Sequence, residues 1–202
     1  LGAALAAGDA GLACRAVEQA AAAQKRRTGS KAEPRDVGCF GQCSADVDRR
    51  LRRAAGPKVY GLKGEGYKFV YVFDRSGSMG GSGNRALNSA KRELLQSLDD
   101  LGETHQFQII FYNDVPTIMR LGGQAQLMFG NEANKIEARA FVNSIAADGA
   151  TQHEPAIKLA LQLSPDVVFF LTDADQPELS RAQLDRIARM NDGRAVINFH
   201  PR

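Results

Sequence analysis

Three oxygen-bearing side chains stand at alternate positions in the segment Asp-Arg-Ser-Gly-Ser-Met. Asp74 follows an apolar run that begins at Tyr67, and Ser76 and Ser78 come two and four residues after it. Glycines next to these residues permit tight turns and the close approach of another surface. The structural alternative is an Asx-turn followed by a helix N-cap, which uses the same residue types.

Two other stretches supply similar groups. Thr172 and Asp173 come at the end of another apolar run, and Thr151 lies in a glycine-containing loop; Asp175 is an alternative carboxylate. Carboxylates and hydroxyls are hard oxygen donors, which favour Mg²⁺, Mn²⁺ or Ca²⁺ over zinc or copper. Because hydroxyls are neutral, they leave much of the charge of a cation uncompensated. Such a site therefore needs one more anionic ligand from outside.

The elements that must position these groups alternate between strands and helices. Apolar runs predict strands at 67–73, 106–112, 166–172 and 194–199, with one or two short edge strands within 117–130. Apolar residues at helical spacing predict helices at 84–101, 132–146, 153–163 and 180–190. This alternation is typical of an α/β fold with a doubly wound, mainly parallel sheet flanked by helices.

Ligand sites in such folds lie beyond the carboxyl ends of the strands, where the residues after each strand meet. We therefore expect Asp74, Thr151 and Asp173 to converge there. Asp114 follows the second strand and is predicted to be a turn residue, and His153 is a candidate for contact with a bound partner.

Two side-chain orientations also follow from the pattern. His105 precedes a strand at the opposite end of the sheet and is predicted to be a surface residue. In the predicted helix 132–146, the residues expected to face inward are Ile136, Ala140, Phe141 and Ile145.

The segment Asp74 to Met79 resembles the Asp-x-Ser-x-Ser signature of von Willebrand factor A (VWA) domains, and the resemblance extends over roughly residues 67–202. It implies a Rossmann-like VWA fold with a metal-ion-dependent adhesion site. The segments FYNDVP and FLTDADQPELS are also similar to those of bacterial, especially planctomycete-like, members. Because the family domain commonly continues with a further strand and helix after this position, we expect the last strand and helix to be missing here.

The resemblance assigns the metal ligands residue by residue. Asp74, Ser76 and Ser78 match the signature, Thr151 matches the threonine loop of the family, and Asp173 matches its strand-end aspartate. The family usually has Gly-Gly-Thr and often Thr-Asp-Gly, where this chain has Gly-Ala-Thr and Thr-Asp-Ala. The expected function is divalent-metal-dependent protein binding, in adhesion or assembly, without catalysis. An Asp or Glu of a protein partner would complete the coordination of the metal, most simply Mg²⁺.

The enzymatic alternative is a metal-dependent, phosphoesterase-like hydrolase that uses the same ion with Asp74 as nucleophile. A haloacid-dehalogenase-like site would have a second aspartate where Ser76 stands, and no histidine has a natural position as a general base. A dinucleotide fingerprint can be drawn from Gly81 to Ala86, but its first glycine comes too far after the strand. These features favour binding over turnover.

Residues 1–66 differ from the rest in composition, with 12 Lys and Arg against 7 Asp and Glu, within a chain of 202 residues and net charge +3. We interpret them as a basic, poorly ordered extension or linker before a VWA-like domain at 67–202. Specific nucleic-acid binding is not expected, because aromatic residues do not interleave with the basic ones. A scaffold role in which this extension does the binding is a further hypothesis.

Cys14, Cys39 and Cys43 give weak support to a zinc site, since no second ligand pair follows them. The composition leaves the compartment open. A bacterial protein of the cytoplasm, or one held at a membrane by an anchor outside this chain, fits equally well.

Overall fold

The computed structural model describes residues 56–173 and 178–201. The predicted extension up to residue 55, its three cysteines and Asp175 lie outside these ranges. Within them, eight strands and four α-helices follow one another along the chain. The strands are β1 (Lys58–Val59), β2 (Leu62–Lys63), β3 (Lys68–Asp74), β4 (Gln106–Tyr112), β5 (Thr117–Ile118), β6 (Met128–Phe129), β7 (Val167–Thr172) and β8 (Val196–Pro201). The helices are α1 (Gly81–Asp99), α2 (Glu132–Ser144), α3 (His153–Gln162) and α4 (Arg181–Asn191).

The main sheet has the strand order β5-β4-β3-β7-β8, with β6 also paired to β4. β3 runs parallel to β4 and β7, and β8 runs parallel to β7, whereas the short β5 and β6 are antiparallel to β4. The register places Asp74 opposite Tyr112, and Phe73 opposite Leu171. The carboxyl ends of β3, β4 and β7 therefore meet at one edge, which we call the crest.

Helices cover both faces of this sheet, as predicted. α1 and α2 pack on one face against alternate strand residues such as Tyr71 and Phe169, and α3 and α4 pack on the other against residues such as Val72 and Phe170. The central strands are buried on both faces, which explains their nearly continuous apolar sequences. The doubly wound, mainly parallel architecture is thus confirmed.

The hairpin of β1 and β2 packs against the same core. Val59 is buried, and the backbone N–H of Tyr60 donates to Glu93 on α1.

No helix in the described ranges combines the length and the apolar character needed to cross a bilayer.

Two predicted orientations are wrong. In α2 the buried residues are Lys135, Ala138 and Val142, whereas Ile136 is 61% exposed; Ala140 is exposed too, and Phe141 and Ile145 are only partly buried. The stem of Lys135 lies inside because its ammonium finds an acceptor there, the carbonyl of Leu101 at 2.8 Å. His105 does lie at the end of the sheet opposite the crest, but it is buried.

Candidate metal centre

Asp74 is the last residue of β3, and its carboxylate is fully buried at the crest. Oδ1 accepts a hydrogen bond from the backbone N–H of Ser76 at 2.7 Å, and Oδ2 accepts one from the hydroxyl of Thr172 at 2.7 Å. Thr172 ends β7, the strand next to β3, so the parallel pairing itself brings these two side chains together.

The two serines continue this arrangement toward the surface. Ser76 is buried, and its hydroxyl lies 3.0 Å from that of Ser78 in the 3₁₀ turn Gly77–Gly80. The hydroxyl of Ser78 donates to Oδ1 of Asp173 at 3.0 Å. The structure thus brings together four of the five predicted ligands, Asp74, Ser76, Ser78 and Asp173, in one hydrogen-bonded network.

Thr151 lies in the loop between α2 and α3, residues 145–152, which we call the threonine loop. The loop touches the backbone of the serine motif, since Gly77 N donates to Gly149 O at 2.9 Å and Asp148 N donates to Arg75 O at 2.9 Å. Thr151 itself is partly buried two residues beyond Gly149. The backbone therefore carries Thr151 to the same edge of the sheet.

Three residues that the sequence did not single out as functional hold this loop. Arg75 donates to the carbonyl of Ala146 and pairs with Asp148, and Asn113 Nδ2 donates to the carbonyl of Asp148 at 3.0 Å. Asp114, predicted only to be a turn residue, also accepts from the backbone N–H of Ala150 at 2.9 Å. Their position in the sequence could have identified Asn113 and Asp114, because they directly follow the carboxyl end of β4.

Beneath the crest, Tyr112 and His153 form a buried pair, with the phenol oxygen 3.0 Å from Nδ1 of the imidazole. His153 is buried and its ring packs against Phe170, so contact with a partner stays a prediction. Burial raises the pKa of Tyr112, and the charge of Asp74 raises it further. Burial lowers the pKa of His153, against the opposing effect of Asp74. Both groups therefore favour their neutral forms below the crest.

Glu154 ties the helix after the threonine loop to α4. Its two carboxylate oxygens accept from Nε and Nη2 of Arg186 at 2.7 and 3.0 Å, and Lys158 adds an ion pair at 2.8 Å. Arg186, and then Lys158, hold the pKa of Glu154 well below its ordinary value. A cleft of about 200 Å³ lies beside these groups, lined by residues such as Gln152, Glu178 and Leu179.

The two carboxylates at the crest, Asp74 and Asp173, lack a positively charged side chain as partner in the described part of the chain. Within the described ranges, neither Asp74 nor Asp173 makes an ion pair with a lysine or arginine. A buried carboxylate without a counter-charge is costly, so the chemistry of these residues fits a cation at this place. In the part of the chain that the structure describes, no three His, Cys, Asp or Glu side chains cluster as a metal site. An ion here would therefore depend on the hydroxyls as well as on the two carboxylates.

Comparisons with known proteins agree with this architecture, although no protein-family model matches the chain. Inter-alpha-trypsin inhibitor heavy chain H4 of Homo sapiens is 31% identical over an alignment of 119 residues that covers 52% of this chain and 12% of that protein. The Bos taurus heavy chain H4 is 30% identical over 129 residues, 63% of this chain and 13% of its own length. The chain thus spans only a small part of these curated relatives, which contain a VWA domain.

The solved structure of a von Willebrand factor type A protein from Catenulispora acidiphila matches with a TM-score of 0.57 at 20% identity. The match covers 66% of this chain and 34% of the other. Together with the sheet order and the helices on both faces, it confirms the predicted resemblance: the chain has the fold of a von Willebrand factor A domain.

Proposed function

We propose that this domain is a protein-binding module that depends on a divalent metal ion. Asp74, Ser76, Ser78, Thr151 and Asp173 would hold the ion, and an Asp or Glu of a protein partner would complete its coordination. The observation that carries the proposal is the hydrogen-bonded network at the crest, in which Asp74 accepts from the backbone N–H of Ser76 and the hydroxyls of Ser76 and Ser78 lead to Asp173.

The chemistry of these groups supports Mg²⁺, with Mn²⁺ or Ca²⁺ as close substitutes. Two carboxylates and neutral hydroxyls surround the crest, and Ser78 and Asp173 lie at its more exposed side. When bound, the ion would supply a positive charge that a partner carboxylate reaches from outside. Only an anion at the correct position gains this attraction, so the ion would contribute specificity as well as affinity.

The positions of the histidines favour binding over hydrolysis. His105 lies at the opposite end of the sheet, and His153 is bound to Tyr112 in the core. His200 stacks on Tyr60 with ring centroids 4.5 Å apart. Each of the three histidines is thus engaged in another contact, and we retain protein binding as the proposed function.

The first test is thermal unfolding with and without Mg²⁺. At ten times the dissociation constant, bound Mg²⁺ should stabilise the wild-type protein by about 1.4 kcal/mol. In a chain of this size that corresponds to a rise in Tm of about 3–6 °C. Asp74→Ala removes the buried carboxylate of this network and should abolish the rise.

The matched control is Asp99→Ala, which removes an exposed carboxylate paired with Arg139 and should leave the Mg²⁺ response unchanged. Because Asp74 is buried, Asp173→Asn, a milder change at the other carboxylate, is tested in parallel. A Tm rise in either crest variant equal to that of the wild type contradicts the proposed site.

The second test concerns the partner. The full chain, immobilised on a resin in buffer with Mg²⁺, should retain a partner protein that EDTA then releases. The Asp74→Ala chain should retain none of this protein. Replacement of each surface Asp and Glu of the retained protein by the corresponding amide should identify one residue whose loss removes binding. Capture that EDTA leaves unchanged would argue against metal-dependent recognition.

A further inference from the structure

The threonine loop is held at nearly every residue around Thr151. Its backbone at Ala146, Asp148, Gly149 and Ala150 makes hydrogen bonds to the serine motif or to the end of β4. Past Thr151, the N–H of Gln152 donates to the carbonyl of Asn113 at 2.9 Å. A surface loop that packs few apolar side chains normally relies on such bonds for its conformation.

The bonds come from two strands that flank the crest. Arg75 follows β3, and its carbonyl accepts from Asp148 N while its guanidinium donates to Ala146 O and pairs with the Asp148 carboxylate. Asn113 and Asp114 follow β4. Asn113 Nδ2 donates to both the carbonyl and the carboxylate of Asp148, at 3.0 and 2.8 Å.

The fit is also close in space. A methyl group built on Gly149 would lie 2.6 Å from Oδ2 of Asp114 and 2.7 Å from Nδ2 of Asn113. Gly149 has φ +74°, a conformation that glycine adopts with little strain. At Gly149 the loop backbone therefore packs directly against these two side chains, with no space for a side chain at this position.

We propose that Arg75, Asn113 and Asp114 are positioning residues that clamp the threonine loop, so that Thr151 is in place before a metal ion arrives. None of the three is among the proposed ligands, and each acts through the loop backbone or through Asp148. The effect of these residues on metal affinity rests on the proposed function. Their effect on the conformation of the loop is measurable without metal. Weakening the clamp should let the loop sample other conformations, and the competent fraction then limits the apparent affinity.

Two variants each weaken the clamp on one side, Arg75→Met after β3 and Asp114→Ala after β4. Arg75→Met keeps an unbranched stem but loses the guanidinium contacts with the Ala146 carbonyl and the Asp148 carboxylate. Asp114→Ala loses the acceptor for Ala150 N. In metal-free protein, amide hydrogen exchange at Asp148, Ala150 and Gln152 should become on the order of tenfold faster. Mg²⁺ affinity, measured by calorimetry on the full chain, should weaken on the order of tenfold.

Conservative variants separate positioning from general stability. Asp114→Asn keeps an acceptor oxygen and should restore most of the slow exchange and of the affinity. Arg120→Met is the matched control, since Arg120 also donates to a loop carbonyl, that of Gly123, but away from the crest. It should change neither measurement.

The outcomes distinguish this inference from the function on which it rests. Unchanged exchange in Arg75→Met and in Asp114→Ala overturns the clamp, even if the wild-type protein binds Mg²⁺ as proposed. Faster exchange with unchanged Mg²⁺ affinity also overturns it, because the loop position then has no effect on the ion. A wild-type protein that does not bind Mg²⁺ refutes the proposed function, and faster exchange in the two variants would then show that the residues hold the loop without serving a metal.

Discussion

The two ends of the parallel sheet bury polar groups in different ways. At the end opposite the crest, Oδ2 of Asp166 accepts from the backbone N–H groups of Tyr67 and Lys68 at 2.7 and 2.9 Å. Nearby, Nδ1 of the buried His105 accepts from the N–H of Gly102 at 2.9 Å. Each acceptor at this end meets donors of the main chain.

At the crest, oxygen atoms mainly face other oxygen atoms. Asp74 accepts from the backbone N–H of Ser76 and from the hydroxyl of Thr172, and the hydroxyls of Ser76 and Ser78 continue the network to Asp173. A carboxylate satisfied by fixed N–H donors stabilises a fold by itself, whereas a set rich in acceptors leaves negative charge for a ligand to balance. The two ends therefore differ in their donors, and this difference fits the metal site that we propose at the crest.

The largest effect that we expect at the crest is that of Gly149→Ala. A left-handed conformation costs a non-glycine residue about 1–2 kcal/mol, and overpacking against Asp114 and Asn113 should add about 1–3 kcal/mol. Chemical unfolding should show a loss of stability of this size, and the Mg²⁺-dependent rise in Tm should shrink.

Gly193→Ala is the matched control for this variant. Gly193 has φ +68°, similar to that of Gly149, but nothing lies within 4 Å of the added methyl group. It should therefore show only the conformational cost and a normal Mg²⁺ response. Equal losses in the two variants would mean that the close contact at the threonine loop does not matter.

Asp166→Ala tests the opposite end of the sheet. The change leaves the N–H groups of Tyr67 and Lys68 without their acceptor, which should cost about 1–3 kcal/mol in urea unfolding. Asp166→Asn keeps an acceptor oxygen and should recover part of the loss. The rise in Tm with Mg²⁺ should stay that of the wild type in both variants, and a reduced rise would contradict the division between the two ends.

The sequence predicted the strands and their common edge well, because each central strand is apolar on both faces. β4 was predicted at the residues where it occurs, and β3 within one residue. Once β3 and β7 are parallel neighbours, the residues at their carboxyl ends lie at one edge, where Thr172 contacts Asp74 and Asp173 contacts Ser78. The convergence of the serine motif and the strand-end aspartate thus followed from local patterns alone.

The clamp around the threonine loop could not be predicted in the same way. Arg75, Asn113 and Asp114 contact loop residues that lie about 35 to 75 positions away, mostly through main-chain atoms, and backbone donors and acceptors carry no sequence signal. The prediction of the inward face of α2 was wrong for a related reason. The pattern treats lysine as outward, whereas Lys135 finds a carbonyl acceptor inside.

The smallest predicted effect concerns His105 and the pH dependence of stability. Burial lowers the pKa of His105 in the folded protein, where Nδ1 accepts from Gly102 and the ring is held neutral. The unfolded chain binds a proton near the ordinary value of about 6.5, before the folded state does. The contribution of this group is therefore complete above that pH and is lost as the pH falls below it.

For one proton the slope cannot exceed about 1.4 kcal/mol per pH unit. Urea unfolding at pH 7.5 and 5.5 should show a smaller loss of stability for His105→Gln than for the wild type, whatever the other histidines contribute. The difference should persist in Asp74→Ala, because the two groups lie at opposite ends of the sheet. If Asp74→Ala removed it, the two ends would be coupled, and the separation of a structural end from a binding end would not hold.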